Sequence, residues 1–130
     1  MLDTDTASYV IRGGRPRLDE RIAAVPRDDV CISAVTRAEL LYGLRLKPGA
    51  ARLAHLVGEF LSRVRTLAWD EAAADRFAVV AADLDLAGQR IGPFDTMIAA
   101  HALAIGATLV TNNTAHFSRV SGLSIENWSV

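Results

Sequence analysis

Short apolar runs alternate along the chain with longer stretches in which apolar residues recur every three or four positions. The short runs predict strands at residues 1–2, 30–35, 66–69, 107–111 and 123–125. The helical spacing predicts helices at residues 5–12, 18–25, 36–46, 50–65, 71–86 and 95–105. Strands separated by helices favour parallel pairing through right-handed crossovers. We therefore predict a three-layer α/β/α sandwich with a mostly parallel central sheet, built from residues 1–130 as one domain.

The composition is typical of a folded protein rather than of a disordered or membrane-spanning one. Hydrophobic residues make up 51% of the chain and charged residues 22%. No apolar run approaches the roughly 20 residues that span a bilayer. The only cysteine, Cys31, cannot form a disulfide within the chain, so a reducing cytoplasm is the expected location. Only two residues precede Asp3, and this short first strand leaves open a start upstream of Met1.

Acidic and amide side chains follow three of the predicted strands, and one more acid begins the helix predicted at residues 95–105. Sites on open parallel sheets lie at the carboxyl ends of the strands, so these side chains can converge in one crevice. Carboxylates brought within a few ångströms repel one another and stay ionised only with a cation. Mg²⁺ or Mn²⁺ suits a ligand set made only of oxygen atoms, which predicts a divalent-metal site. The candidate residues are Asp3, Glu39, Asp95, Asn112 and Asn113.

Each acidic residue also has a purely structural interpretation. Asp3 and Asp5 can cap the first helix. The negative charge of Asp95 can be stabilised by the positive N-terminal end of its own helix. Glu39 can be the acidic member of a capping box whose N-cap is Thr36. Taken one at a time, these interpretations are as good as the metal site, and only the combination of acids favours the latter.

Gly43 supports a functional surface on the third predicted helix. It lies four residues after Glu39, on the same helical face. A glycine inside a helix costs about 1 kcal/mol relative to alanine. We therefore expect that a phosphate or a metal site needs this face to stay open.

Charge gives little indication of a nucleic-acid partner. The net charge is −1, so phosphate binding would depend on local cations rather than on the whole molecule. Arg12, Arg15 and Arg17 surround a Gly-Gly turn close to the first acidic motif. They are candidate RNA contacts, and a solvated loop is the simpler alternative.

The opening motif Asp-Thr-Asp-Thr at residues 3–6 also resembles the D-x-D-x-T start of haloacid-dehalogenase-type phosphatases. Such an enzyme needs a substantial strand before the motif and a lysine to balance the phosphoaspartate. The only lysine, Lys47, lies in a turn that ends a helix, and residues 1–2 are barely a strand. The phosphatase is therefore the weaker hypothesis. A catalytically silent binding module is a second alternative, and a test for metal-dependent cleavage distinguishes it from an enzyme.

Four longer motifs carry a resemblance to a known family. Residues 2–5 read LDTD, residues 33–43 read SAVTRAELLYG, residues 91–103 read IGPFDTMIAAHAL and residues 106–117 read GATLVTNNTAHF. In order and spacing, and including the closing residues 120–128, the chain resembles the PIN-domain VapC toxins. These toxins are the ribonucleases of type II toxin–antitoxin systems.

The resemblance implies roles for individual residues. Asp3, Glu39 and Asp95 match the acidic residues that bind Mg²⁺, with Mn²⁺ as a possible substitute, and the metal activates the attacking water. Asn113 falls where many PIN domains have a fourth acid, so a second metal is less secure in this chain. Asp5 stands where the family usually has asparagine. Further candidates for supporting roles, by position near these acids, are Asp5, Ser33, Thr36 and Asn112.

The resemblance also implies partners. VapC toxins form homodimers and are held inactive by a VapB-type antitoxin, whose C-terminal segment wraps the toxin and blocks the acidic site. The leucine-rich residues 36–65 are a candidate surface for a partner helix. The expected substrate is a structured RNA, either transfer RNA or ribosomal RNA, and no membrane partner is expected.

Overall fold

The central sheet is parallel and places residues 1–3 in its middle. The computed structural model describes residues 1–130. Its strands are β1 (Cys31–Ser33), β2 (Arg65–Leu67), β3 (Leu109–Val110) and β4 (Ile125–Glu126). β1 pairs with β2 and β3 pairs with β4, while Leu2 bridges to Ile32 on one side and Val110 on the other. The order across the sheet is therefore β2, β1, Leu2, β3, β4, with every pairing parallel.

Seven α-helices and one 3₁₀ turn surround this sheet. None of the helices is both long enough and apolar enough to cross a membrane. The helices are α1 (Thr4–Arg12), α2 (Pro16–Ala24), α3 (Ala34–Arg45), α4 (Ala51–Arg63), α5 (Glu71–Leu86), α6 (Pro93–Ile105) and α7 (Thr114–Phe117), and the 3₁₀ turn is Arg27–Asp29.

Side chains alternate across the sheet and fill two separate cores. Met1 and Leu109 pack with α5, α6 and α7, whereas Leu2 and Val110 pack with α1, α2 and α4. Successive residues of a strand point to opposite faces, so residues 1–2, β1 and β3 each contribute to both cores. The predicted three-layer sandwich with a parallel sheet is therefore confirmed, and its helices cover both faces.

The start of α3 differs from the prediction. The strand predicted at 30–35 ends at Ser33, whose hydroxyl accepts a hydrogen bond from Val35 N over 3.1 Å and caps the helix. The capping box predicted for Thr36 and Glu39 is therefore wrong. Val35 lies in the first turn of the helix and packs in the apolar core. The apolar run of the strand therefore continues into the helix, and the sequence does not show where the strand ends.

A candidate metal centre of acidic side chains

Asp3 lies where the central residues of the sheet lead into α1, and it is 3% exposed. Its Oδ1 accepts a hydrogen bond from Thr6 N over 2.8 Å, which makes it the N-cap of α1. Its Oδ2 accepts a hydrogen bond from Thr111 Oγ1 over 2.6 Å. Burial raises the pKa of Asp3, although both hydrogen bonds act against this effect. The capping interpretation is correct for Asp3, and it does not exclude a second role.

Glu39 lies on α3 and faces α1. Thr4 Oγ1 donates a hydrogen bond to Glu39 Oε1 over 2.7 Å. Burial raises the pKa of Glu39, and the nearby charges of Asp5 and Asp3 raise it further, while the hydrogen bond from Thr4 acts in the opposite direction. The carboxyl group of Glu39 is thus part of the same electrostatic cluster as Asp3.

Asp95 lies in the first turn of α6. The helix starts there because Gly92 adopts a φ of 95°, which side chains rarely permit, and Pro93 follows at the first helical position. Burial raises the pKa of Asp95 to about 6, with further contributions from the charges of Asp3, Glu39 and Asp5. Three elements distant in sequence therefore bring mutually repelling carboxylates to one end of the sheet.

No basic side chain balances these acids. The ion pairs of the chain are Arg21–Glu126 and Arg90–Asp85, with a further contact between His55 and Glu59, and all lie outside the cluster. A cluster of carboxylates with raised pKa values and no basic partner has the chemistry of a site for a hard cation. The donor set therefore fits Mg²⁺ or Mn²⁺.

The carboxylates form an open cluster rather than a closed cage. No three Asp, Glu, His or Cys side chains come close enough together to hold one ion directly between them. The sequence had led us to expect three carboxylates within a few ångströms, and the structure is looser than that. Mg²⁺ is commonly held by one or two carboxylates and keeps several waters, so an open arrangement still suits it.

The supporting residues predicted from the sequence divide into two groups. Thr36 contacts Thr4 and so lies beside the acidic cluster. Ser33 instead caps α3 and its Oγ lies 2.8 Å from Nδ1 of the buried His101. Asn112 accepts a hydrogen bond from Ser129 Oγ over 3.0 Å, at the C-terminal segment of the chain.

Asn113 reaches the acidic cluster through its backbone. Its N–H donates to Thr111 Oγ1 over 2.9 Å, and this hydroxyl in turn donates to Asp3. Its side-chain amide lies 2.9 Å from Nδ1 of His116, one turn further along α7. The side chain predicted as catalytic is therefore engaged with a histidine rather than with the carboxylates.

A cleft between α1, α3 and α4 adjoins the acidic cluster. It has a volume of about 180 Å³, and Thr4 and Glu39 line it together with two cations, Arg12 and Lys47. Of the three arginines predicted to contact RNA, Arg12 alone lines this cleft. The guanidinium of Arg15 instead stacks on the Tyr9 ring at 3.6 Å from its centroid.

Sequence patterns did not reveal the hydroxyl groups that hold the acids. Thr4 and Thr111 bond to Glu39 and Asp3 across 35 and 108 positions of sequence. The only available signal was position, because Thr4 follows Asp3 directly and Thr111 ends the run at 107–111. Lys47 likewise carries no sequence signal beyond its place in a helix-ending turn.

An apolar groove lies between α1, α2 and α4. It has a volume of about 660 Å³, and Ile22, Leu56 and Phe60 are among its apolar residues. Arg27, Glu59 and Arg63 contribute the charged part of its lining. A groove of this size with an apolar floor and charged side chains is suited to an amphipathic helix.

Comparison with known proteins agrees with the fold and the motifs. The PIN domain family matches residues 1–123. The tRNA(fMet)-specific endonuclease VapC of Shigella flexneri is 40% identical over 99% of this chain and 97% of its own length. Ribonuclease VapC2 of Haemophilus influenzae, strain ATCC 51907, is 37% identical over 98% of this chain and 96% of its own.

Solved structures give the same result. The DNA-bound VapBC structure from Salmonella typhimurium matches with a TM-score of 0.92 and 37% identity, covering 98% of this chain and 96% of that one. VapBC2 from Rickettsia felis, bound to a promoter DNA fragment, matches with a TM-score of 0.89 and 30% identity over 98% and 97%. The resemblance drawn from the sequence motifs is confirmed. The chain belongs to the PIN domain family and, within it, to the VapC proteins.

Proposed function

We propose that this protein is the toxin of a type II toxin–antitoxin system and a divalent-metal-dependent endoribonuclease. The observation that carries the proposal is the cluster of Asp3, Glu39 and Asp95, whose pKa values are raised by burial and mutual repulsion and whose charges no basic side chain balances. Relatives of full length that are named as VapC ribonucleases support it. The haloacid-dehalogenase-type phosphatase has no support in these relatives.

Asp3 and Asp95 would hold the ion, with Glu39 binding through a water, because the three carboxylates are too far apart to share one ion directly. Bound Mg²⁺ supplies the chemistry by polarising the scissile phosphate and lowering the pKa of the attacking water. Asp3 is the most rigid ligand, because both of its oxygens accept hydrogen bonds within the protein. No side chain has to form a covalent intermediate, since water is the nucleophile.

The substrate is proposed to be a structured RNA, with transfer RNA as the first candidate. The relative from Shigella flexneri is named as specific for tRNA(fMet). Arg12 and Lys47 line the cleft beside Glu39. They would contact RNA phosphates on the approach to the acids. A protein of near-neutral charge would then recognise RNA by shape and by these few cations.

A VapB-type antitoxin is the proposed partner, and the apolar groove between α1, α2 and α4 is its proposed binding site. The related solved structures from Salmonella typhimurium and Rickettsia felis are VapBC assemblies. The sequence had suggested residues 36–65 for this contact, whereas the groove uses α1 and α2 as well as α4. A homodimeric toxin acting on RNA in the cytoplasm completes the proposal.

The deciding experiment incubates purified, antitoxin-free protein with total RNA and with initiator tRNA, with and without Mg²⁺ or Mn²⁺. Asp95→Asn protein is the control for contaminating nuclease. The proposal expects discrete RNA ends that require both the metal and Asp95. Folded protein that binds RNA but does not cut it with either metal would instead favour the catalytically silent binding module.

A further inference from the structure

The hydroxyl groups of Thr4 and Thr36 form a chain of hydrogen bonds that ends on Glu39. Thr4 Oγ1 donates to Glu39 Oε1 over 2.7 Å, and the Oγ1 atoms of Thr4 and Thr36 are 3.1 Å apart. A hydroxyl group carries a single proton. Because the proton of Thr4 is directed at the carboxylate, Thr36 must donate the bond between the two threonines. The chain therefore runs from Thr36 to Thr4 to Glu39.

Thr36 is committed to this chain by its location. It lies in α3, three residues before Glu39, and its side chain has no exposed surface. A threonine inside a helix often returns its hydroxyl proton to a backbone carbonyl of the preceding turn. Here the hydroxyl contacts Thr4 at the start of α1 instead. The two threonines thus join α1 to α3 at the edge of the acidic cluster.

The hydrogen bond from Thr4 restrains a flexible side chain. Glu39 is half-buried and has several rotatable bonds, so without a partner its carboxylate would adopt several orientations. The hydrogen bond from Thr4 engages Oε1 of Glu39 and leaves Oε2 available for a second interaction. Thr4 also follows Asp3 directly. Two consecutive residues therefore provide one carboxylate of the cluster and fix the orientation of another.

We propose that Thr4 is a positioning residue of the metal site: oriented by Thr36, it holds Glu39 so that its free oxygen binds the divalent cation through a water. The inference rests on the proposed function for the metal, and it does not depend on RNA cleavage. Groups that orient metal ligands by hydrogen bonds change metal affinity by about 10- to 100-fold when they are removed.

The test compares Thr4→Val, which removes the hydroxyl at nearly constant shape, with Thr4→Ser, which keeps it. Mn²⁺ binding to the metal-free protein is measured by isothermal titration calorimetry and by electron paramagnetic resonance. We expect Thr4→Val to bind Mn²⁺ about 10-fold more weakly than the wild type. Thr4→Ser should bind as the wild type does, and Thr36→Val should lie between them. Thermal unfolding followed by circular dichroism checks that each variant is folded.

A double-mutant cycle shows whether Thr4 acts through Glu39. In a Glu39→Ala background there is no carboxylate to position, so Thr4→Val should weaken Mn²⁺ binding no further. An equal loss in both backgrounds would overturn the proposal, and so would a folded Thr4→Val protein with wild-type Mn²⁺ affinity. If Thr4→Val does not fold, Thr36→Val carries the same cycle.

The outcomes separate this inference from the proposed function. If Thr4→Val weakens Mn²⁺ binding and the wild-type protein cuts no RNA, the positioning role is supported and the ribonuclease activity is contradicted. If the wild-type protein cuts RNA and Thr4→Val leaves the Mn²⁺ affinity unchanged, the ribonuclease activity is supported and the positioning role is contradicted. A wild-type protein that binds no Mn²⁺ overturns both.

Discussion

Thr111 donates a hydrogen bond to Asp3 across the middle of the sheet, with 2.6 Å between Thr111 Oγ1 and Asp3 Oδ2. Both side chains are buried, and the same hydroxyl accepts the N–H of Asn113 over 2.9 Å. A buried carboxylate needs such partners because burial disfavours its charged form. The bond therefore joins the stability of the sheet to the ionisation of the acidic cluster.

Thr111→Val is expected to destabilise the protein by about 1 to 3 kcal/mol, because it leaves Oδ2 of Asp3 and the N–H of Asn113 without a buried partner. Urea unfolding of the metal-free protein at neutral pH measures the change. Thr111→Ser, which keeps the hydroxyl, is the matched control and should retain most of the stability. Equal stability of the valine and serine variants would show that the bond contributes nothing.

The convergence of the acidic residues could be predicted from the sequence because of their combined positions relative to the predicted strands and helices. Asp3 and Asp95 lie at the starts of α1 and α6, and Glu39 lies in the second turn of α3, the helix directly after β1. The carboxyl ends of parallel strands meet at one edge of the sheet. The family motifs strengthened this prediction. Topology decides where such residues meet, and topology is encoded in the alternation of apolar runs.

The hydroxyl network could not be predicted because it depends on the direction of single side chains. Nothing in the sequence distinguishes Thr36, whose hydroxyl turns to Thr4, from Ser33, whose hydroxyl caps α3. The end of β1 was missed for a related reason, because apolar residues continue from the strand into the helix without a break. Tertiary packing decides such boundaries, and local propensity does not.

Asp95→Asn is expected to abolish RNA cleavage and to stabilise the metal-free protein at neutral pH. The pKa of Asp95 lies near 6 in the folded protein, above its ordinary value of 3.8. The protonated carboxyl group of Asp95 therefore contributes stability that is present in full below about pH 3.8 and is lost as the pH rises through about 6. Because Asp95 is partly exposed, the gain from the asparagine at neutral pH should be about 1 kcal/mol.

The measurement is the difference in unfolding free energy between Asp95→Asn and the wild type across this pH range. Burial lowers the pKa of His101, so its protonation destabilises both proteins at acid pH and cancels in the difference. Adding Mg²⁺ at neutral pH should stabilise the wild type and reduce the advantage of the variant. A difference that does not change with pH would contradict the raised pKa.

Gly43→Ala should stabilise α3 and weaken RNA cleavage. Gly43 lies in the cleft beside Glu39, and a Cβ there would meet no protein atom within 4 Å. Alanine is favoured over glycine in a helix by about 1 kcal/mol, so packing does not explain the glycine. We expect a higher melting temperature together with a raised KM for RNA, because the methyl group would enter the cleft.

Gly58→Ala is the matched control for this substitution. Gly58 lies in the middle of α4, is exposed, and also has no atom within 4 Å of an added Cβ. It should raise the melting temperature to a similar extent and leave the KM for RNA unchanged. If both alanine variants cleave RNA as the wild type does, the open face at Gly43 has no role in RNA binding.

Arg12→Gln and Lys47→Gln are each expected to weaken RNA binding by a few-fold and to lower the slope of log K against log salt by about one. Both cations line the cleft that leads to Glu39. Binding is measured with the Asp95→Asn protein as background, so that the RNA stays intact. Arg17→Gln is the control of equal charge change, because Arg17 lies outside the cleft; an equal effect there would indicate only general charge attraction.

Leu56→Glu should release the antitoxin and leave RNA cleavage intact. Leu56 lines the apolar groove between α1, α2 and α4, so a carboxylate there would lose its hydration under a bound helix. Co-purification with the VapB-type antitoxin and RNA cleavage by the free toxin are the two measurements. Leu86→Glu is the control, because Leu86 is 89% exposed and lies outside the groove. If the Leu56 variant still co-purifies with the antitoxin, the antitoxin binds elsewhere. Loss of both antitoxin binding and RNA cleavage would indicate a damaged fold, and thermal unfolding of the variant checks for this.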